Sequence, residues 1–342
     1  MTVLGIETSC DETSAAVVRD GREVLSCVVH TQPEHREWGG VVPELASRCH
    51  VEKLPGIVRA AVEESGVGWG GLDAVAATRG PGLASSLLVG WSAAKGIALR
   101  TGLPLVAVNH IEAHLHSVFL DPAAPDPSES YPMAGLAVSG GHTNLFRLEA
   151  PGRIELVGRT VDDAAGEALD KAAKLLGLGY PGGPVIDRVS RGLRPREGTF
   201  PEGRVRDAAR TGGLDPALCT SFSGLKTALL HRVCAEPPRT EAEVAQLACD
   251  YQAAVVGAVV RRCELACEGM RCLAVGGGVS LNSLLRSELA AMCARRGVRL
   301  LLALPKHCGD NAAMIAGLAG TGRGVRSPGS FDLDPDPSWQ VS

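Results

Sequence analysis

Three turns rich in glycine and hydroxyl residues interrupt β-type runs in the chain. They are Glu7-Thr8-Ser9-Cys10-Asp11-Glu12-Thr13, Ser139-Gly140-Gly141-His142-Thr143 and Gly276-Gly277-Gly278-Val279-Ser280-Leu281-Asn282. Such turns offer backbone N–H groups and hydroxyls to a phosphate, and the third opens a helix whose N-terminus adds its dipole. None contains a Gly-Lys-Ser/Thr phosphate loop or the GxGxxG dinucleotide pattern. In Asn109-His110-Ile111-Glu112-Ala113-His114 the two histidines are four residues apart. On a helix both imidazoles leave the same face and can share one metal; a polar pair at a helix start is the alternative. Glu112 lies two residues after His110, roughly 200° round the helix at 3.6 residues per turn, so it faces away. A zinc peptidase needs its glutamate directly after the first histidine, which argues against that chemistry. His116 is off the face as well. A metal held by two histidines calls for a carboxylate, and Asp310 in His307-Cys308-Gly309-Asp310-Asn311 is the candidate. It precedes a helix, where an aspartate serves equally as an N-cap.

A second carboxylate pair flanks a rigid loop: Asp170, then Tyr180-Pro181-Gly182-Gly183-Pro184, then Asp187. These groups could grip ribose or amino-acid hydroxyls and an ammonium, or belong to a capped surface helix and a tight turn. Between residues 188 and 210 stand Arg188, Arg191, Arg194, Arg196, Arg204, Arg206 and Arg210 against only Glu197, Glu202 and Asp207. A local basic surface of this kind suits a phosphate backbone, with a solvated charged face as the alternative.

The elements that must position these groups follow from periodicity. Residues 3–7, 14–18 and 24–29 predict three antiparallel strands, and Pro43 opens a helix over about 44–64. Strands at 74–78 and 106–109 enclose a helix at 85–99, a βαβ arrangement that buries a sheet under helices. Residues 121–132, Asp-Pro-Ala-Ala-Pro-Asp-Pro-Ser-Glu-Ser-Tyr-Pro, form the best connector in the chain. The pattern then restarts with strands at 134–138, 144–148 and 154–159, helices, strands at 273–275 and 300–304, and a helix over about 311–318. The organisation expected is an N-terminal lobe over 1–120, the connector 121–132, a C-terminal lobe over 133–324 and a loose tail over 325–342. Two openings of the same kind indicate a duplicated unit.

The chain has 342 residues with 45% hydrophobic and 21% charged content, which fits a soluble α/β protein with two cores. At 4% aromatic residues, an all-β sandwich or an aromatic platform for single strands is disfavoured. The net charge of −4 excludes a chain coated with basic charge but not a local patch. Eleven cysteines, an odd number with no CxxC, predict reduced thiols, most of them small buried residues. Cys263, Cys267 and Cys272 have spacings wrong for a zinc ribbon. No secretory signal and no apolar run of about 18 residues is read, so the expected location is cytoplasmic with no membrane partner.

Seven ordered motifs resemble a known family. They are Gly5-Ile6-Glu7-Thr8-Ser9-Cys10-Asp11-Glu12-Thr13, Gly40-Val41-Val42-Pro43-Glu44-Leu45-Ala46-Ser47-Arg48, Asn109-His110-Ile111-Glu112-Ala113-His114, Val138-Ser139-Gly140-Gly141-His142-Thr143, Tyr180-Pro181-Gly182-Gly183-Pro184, Phe222-Ser223-Gly224-Leu225-Lys226-Thr227 and Asp310-Asn311-Ala312-Ala313-Met314. Spread from about residue 1 to 322, they resemble the tRNA N6-adenosine threonylcarbamoyltransferases, once named O-sialoglycoprotein endopeptidases. The resemblance implies an α/β fold of the actin, sugar-kinase and heat-shock ATPase type: two duplicated ribonuclease-H-like lobes around a central cleft. It implies transfer of threonylcarbamoyl from threonylcarbamoyl-AMP to N6 of adenosine 37 in tRNAs reading codons that begin with A. By the same resemblance His110, His114 and Asp310 match metal ligands, for Fe²⁺ or else Zn²⁺. Ala137, Val138, Ser139, Gly140, Gly141, Asp170, Gly183, Asp187 and Asn282 match donor-binding positions. Glu12 is the candidate for orienting or deprotonating the amine. Gly309, where a hydroxyl residue is common, and Ser283, where an arginine is common, depart from the pattern. The partners implied are tRNA, the adenylate donor, a non-catalytic paralogue and a small ATPase. The competing readings are an ATPase or kinase of the same fold, a metallopeptidase and a plain RNA-binding scaffold.

Overall fold

The computed structural model describes residues 1–35, 40–326 and 329–341. It divides into two compact units, Met1–Pro127 with Ala303–Ser342, and Ser128–Leu302. In chain order the first unit holds β1 (Thr2–Glu7), β2 (Glu12–Arg19), β3 (Glu23–Thr31), α1 (Pro43–Glu64), β4 (Ala74–Gly80), α2 (Ala84–Thr101), β5 (Leu105–Asn109) and α3 (His110–His116). The second holds β6 (Met133–Val138), β7 (Thr143–Ala150), β8 (Arg153–Arg159), α4 (Ala165–Leu175), α5 (Gly182–Val189), α6 (Ser223–Ala235), α7 (Glu241–Ala266), β9 (Cys272–Gly276), α8 (Ser283–Arg296) and β10 (Arg299–Leu302). The chain then returns to the first unit with α9 (Ala312–Gly320) and β11 (Val325–Arg326).

The sheets are ordered β11-β5-β4-β1-β2-β3 and β10-β9-β6-β7-β8. In each, three antiparallel strands open the unit and two parallel strands extend it on the other side of the first strand. This shared order is the duplication expected from the two similar openings. β1 is buried at every position because helices cover both faces of its sheet. Leu4 and Ile6 face Leu54, Val58 and Ala61 of α1 and Trp91 and Ala94 of α2. Val3 and Ala16 face the other way, onto α9. The larger core of the second unit gathers Leu136 and Val138 of β6 with Phe222, Tyr251 and Val255.

Two boundaries differ from the sequence expectation. The helix at 312–320 belongs to the first unit, so the second unit is Ser128–Leu302 rather than 133–324. α9 is apolar all round, with Ala312 to Ala319 buried, and its composition says that it is covered but not by which sheet. The break falls inside the connector, between Pro127 and Ser128. The tail is not loose over its described part. Val325 and Arg326 pair with Ala107 and Val106, and Ser330 Oγ donates to Leu105 O at 2.9 Å. Trp91 Nε1 and Lys95 Nζ both donate to Leu333 O, and Asp336 N donates to Arg79 O at 2.8 Å. Phe331 and Leu333 are the anchors, packed on the first core. Around them polar residues hide backbone groups, among them Asp334 O, Pro337 O and Trp339 O, that bond to Arg79, Gly82 and Asn109. Among the described residues no helix is long and apolar enough to cross a membrane. All eleven cysteines are free thiols, and seven are buried.

Candidate metal centre and binding turns

β5 runs directly into α3, and Asn109 makes the switch by accepting Ile111 N at 3.0 Å and Glu112 N at 3.2 Å on its Oδ1. The cap fixes the first turn, so His110 and His114 stand on one face, rings edge-on with centroids 4.6 Å apart. Nε2 of His110 and of His114 lie 3.6 and 3.0 Å from Asp310 Oδ1. One ligand atom from each of the three residues falls within 4.8 Å of the others. Asp310 does not cap the helix that follows it. Asn311 caps α9, its Oδ1 accepting Met314 N at 3.1 Å, and the Asp310 carboxylate is left facing the histidines.

Behind them lies Glu7, which is fully buried. Its carboxylate accepts Ser9 N and Thr78 Oγ1, each at 2.5 Å, and lies 3.2 Å from His110 Nδ1. Burial alone would raise the Glu7 pKa; the His110 ring beside it, with Thr78, holds it below the usual carboxylate range. Burial would likewise depress His110, but Asp310 and Glu7 outweigh it and raise the imidazole to about 9. A carboxylate on Nδ1 orients the ring and turns Nε2 toward Asp310, the usual support for a metal-bound histidine. Glu7 is not distinguished in the sequence from its neighbours in the first turn. Its one signal is a carboxylate ending a strand that is otherwise apolar.

Other residues near α3 are engaged elsewhere. Glu112 is ion-paired with Arg323, which leaves nothing of the peptidase arrangement. His116 Nε2 lies 3.0 Å from Gly21 O, and burial pushes its pKa down to about 4, so it stays neutral. Glu12, at the start of β2, has its carboxyl pushed well above the usual range by burial, with Asp310 and Asp11 adding to the effect. Burial and the same two aspartates push the Cys10 thiol up, away from thiolate chemistry.

In the second unit Ser139 closes a tight turn: Ser139 N donates to His142 O at 2.8 Å, and His142 N donates to Ser139 Oγ at 3.2 Å. Ala137 and Val138 are buried on β6 before it, while Gly140 and Gly141 are exposed with open space where a Cβ would stand. Gly166 N, in the first turn of α4, donates to Ser139 O at 3.3 Å. The same helix carries Asp170, whose Oδ1 accepts Gly182 N at 2.7 Å and Gly183 N at 3.2 Å at the start of α5. Burial raises the Asp170 pKa, and these two N–H groups partly offset it. At the far end of α5, Asp187 Oδ1 accepts both Ser283 N and Ser283 Oγ, at 3.1 and 2.7 Å. Asn282 caps α8 by accepting Leu285 N at 3.0 Å and donates from Nδ2 to Gln252 Oε1 at 3.1 Å. The positions named from the sequence in this unit are therefore one connected set, running from the Ser139 turn through α4 and α5 to Asn282. Gly277, at φ +97° with Val138 O only 2.3 Å from a built Cβ, must be glycine to let the third turn pass β6.

The basic stretch separates into two kinds of arginine. Arg196 is structural: its N, Nε and Nη2 donate to the buried Asp250 at 2.8, 2.8 and 2.6 Å. Arg191, Arg204 and Arg210 pair with Asp187, Glu202 and Asp162. Arg188, Arg194 and Arg206 are exposed and carry no ion pair among the described residues. Only these three keep the uncommitted charge that the sequence assigned to the whole stretch. Asp162 also accepts Ser221 Oγ, Phe222 N and Ser223 Oγ, which fastens the Phe222-Ser223-Gly224 motif to the loop before α4.

The sequence pattern of the tRNA N6-adenosine threonylcarbamoyltransferase family matches residues 23–317. The enzyme of that name from Geobacter sp. (strain M21) is 49% identical over 100% of this chain and 97% of its own length. The one from Anaeromyxobacter sp. (strain Fw109-5) is 48% identical over the whole of both chains. Among solved structures, component A of the (R)-2-hydroxyglutaryl-CoA dehydratase of Acidaminococcus fermentans superposes with a TM-score of 0.53. It is 13% identical and covers 94% of this chain and 100% of that one. HypF of T. kodakarensis, also 13% identical, gives 0.63 over 94% of this chain and 48% of its own. At such identity they show the fold alone, the actin, sugar-kinase and heat-shock ATPase type, in agreement with the two equivalent sheets. The chain belongs to the tRNA N6-adenosine threonylcarbamoyltransferases, the transferases that place threonylcarbamoyl on N6 of adenosine in tRNA.

Proposed function

We propose that this enzyme takes its threonylcarbamoyl group from threonylcarbamoyl-AMP, modifies adenosine 37 of tRNAs reading codons that begin with A, and releases AMP. The observation that carries the reading is the convergence of His110, His114 and Asp310 with Glu7 behind His110. Two imidazoles and one carboxylate suit Fe²⁺, with Zn²⁺ as the alternative, and these three side chains would hold the ion. When bound, such an ion polarises a coordinated carbonyl or phosphoryl oxygen as a Lewis acid.

The remaining roles fall to the chain. The N6 lone pair attacks the carbamoyl carbon, the bond from that carbon to the phosphate oxygen breaks, AMP leaves with the electron pair, and the amine loses a proton. Glu12 orients the amine or takes that proton, a task for a carboxylate whose pKa burial holds above the usual range. The exposed Gly140 and Gly141 of the Ser139 turn offer N–H groups to phosphate or to the developing oxyanion. Asp170, Gly183, Asp187 and Asn282 bind the donor's hydroxyl and amino-acid groups. Glu12→Gln is expected to slow single-turnover transfer at saturating tRNA by about 10²-fold or more; an unchanged rate removes Glu12 from the mechanism.

tRNA docking draws on Arg188, Arg194 and Arg206. Arg194→Glu with Arg206→Glu is expected to weaken tRNA binding and to flatten its dependence on log salt by about 1 per lost phosphate contact. Filter binding across a salt series reads this directly, and an unchanged slope places tRNA elsewhere. Arg196→Ala is the contrasting control, since it strands the buried Asp250 and acts through stability. A non-catalytic paralogue and a small ATPase complete the cytoplasmic system in this reading.

A further inference from the structure

Three buried polar side chains of the first unit have no part in the chemistry assigned above. His35, Gln32 and His50 are 1%, 3% and 0% exposed. Val42 N donates to His35 Nδ1 at 3.2 Å, so the proton of that ring sits on Nε2, 2.9 Å from Gln32 Oε1. The Gln32 amide then has Nε2 free to donate, to Ala46 O at 3.3 Å and to His50 Nδ1 at 3.4 Å. Thr13 Oγ1 lies 2.7 Å from the same nitrogen, and His50 Nε2 therefore carries the proton that reaches Cys10 O at 2.9 Å. Each tautomer is dictated by the bond before it. The chain of bonds starts at the backbone in front of α1 and ends on the turn that bears Glu12. Gln32 N adds a backbone tie to Asp11 O at 3.3 Å.

Apolar side chains could have filled this space without the desolvation that two imidazoles and a carboxamide impose. A fully bonded polar network adds direction and a single geometry. We infer that His50, Gln32 and His35 are positioning residues that hold the turn at residues 10–12, and with it Glu12, in register with the segment at residues 40–42. The inference rests on the reading of Glu12 as the group that meets the amine. Burial lowers the His50 pKa and so favours the neutral ring that the bonding pattern needs.

The test compares His50→Phe, His50→Gln and Gln32→Met with the parent in single-turnover transfer at saturating tRNA, alongside bound metal and thermal midpoint. His50→Phe and Gln32→Met are expected to lower the rate about 10-fold or more, with KM for tRNA and metal per chain changed less than about twofold. His50→Gln, which can still donate to Cys10 O, should recover much of the loss. Glu12→Gln with His50→Phe should be no slower than Glu12→Gln alone, the mark of one residue acting through another. ¹⁵N shifts of the histidine rings supply a readout that does not depend on activity, and should place the proton on Nε2 in both rings. The inference fails if the rate is unchanged, if loss follows metal or thermal midpoint equally in all three variants, or if either ring is protonated on Nδ1. A slow Glu12→Gln with a fast His50→Phe overturns the positioning role alone. A fast Glu12→Gln overturns the reading of Glu12 and with it this one.

Discussion

Asp310→Ala is expected to lose tightly bound metal and to lower threonylcarbamoyl transfer about 10³-fold or more, while the thermal midpoint of the metal-free protein moves by no more than about 2 °C. The size follows from the role: polarising a carbonyl or a leaving phosphate is worth several kcal/mol in the transition state, and about 4 kcal/mol is 10³-fold in rate. The small thermal effect follows from who caps α9 and from Glu7, which stays on His110 Nδ1 as a charge partner when Asp310 is gone. Asn311 holds Met314 N, so the helix keeps its start when the neighbouring carboxylate is removed. Removal also takes a like charge away from Glu12, whose carboxyl Asp310 pushes up. Metal analysis, calorimetry and the transfer rate separate the outcomes. If the variant keeps its metal, His110 and His114 do not form the site with Asp310; if it loses the fold, the residue is structural.

Gly5→Ala is expected to be among the most destabilising changes available in the first unit, at about 3 kcal/mol or more, although it adds one methyl group. A Cβ on Gly5 would lie 2.4 Å from Ala312 O and 2.8 Å from Ala316 N, both backbone atoms of α9. Neither can swing aside as a side-chain end can, so the helix must lift from the sheet and open the packing of Val3, Ala16 and Ala76 against it. For a unit of this size that corresponds to a thermal midpoint lower by about 6–12 °C. Lifting α9 also shifts Asp310, two residues before its first turn, so metal should be lost in parallel. Gly96→Ala in α2 is the matched control. Apart from the helix's own backbone and the flanking residues, nothing lies within 4 Å of a Cβ built there, and alanine in a helix interior should stabilise by up to about 1 kcal/mol. Equal thermal midpoints for the two variants would show that α9 does not depend on Gly5 for its place.

Much of this was legible in the sequence, and the failures have physical causes. Strands and helices announced themselves by period, and the repeated three-strand opening gave the duplicated architecture. The shared face of His110 and His114 follows from their spacing alone. Asp310 is ambiguous in the sequence because two capping residues stand side by side, and only in the fold does Asn311 take the cap. Glu7 does not stand out in the sequence because a carboxylate at a strand end reads as the start of a turn. The unit to which α9 belongs is not legible in the sequence because a helix apolar on every side fits under either sheet. The tail reads as loose because its Pro, Asp and Ser residues hide the bonds of Asp336 N to Arg79, of Leu333 O to Trp91 and of Ser330 Oγ to Leu105. Arg196 reads as free charge in the sequence because its partner, Asp250, is 54 positions further on.

Metal-dependent transfer from the adenylate is tested most directly by incubating the metal-loaded protein with threonylcarbamoyl-AMP labelled in the threonyl group and a tRNA that reads codons beginning with A. The proposed paralogue and ATPase are supplied, and the tRNA is digested to nucleosides afterwards. The prediction is label on N6 of adenosine 37 and one AMP released per label transferred, with both lost in His110→Ala. Label on tRNA at an undiminished rate in His110→Ala would contradict the metal centre, and no label with the parent protein and all partners present would contradict the donor.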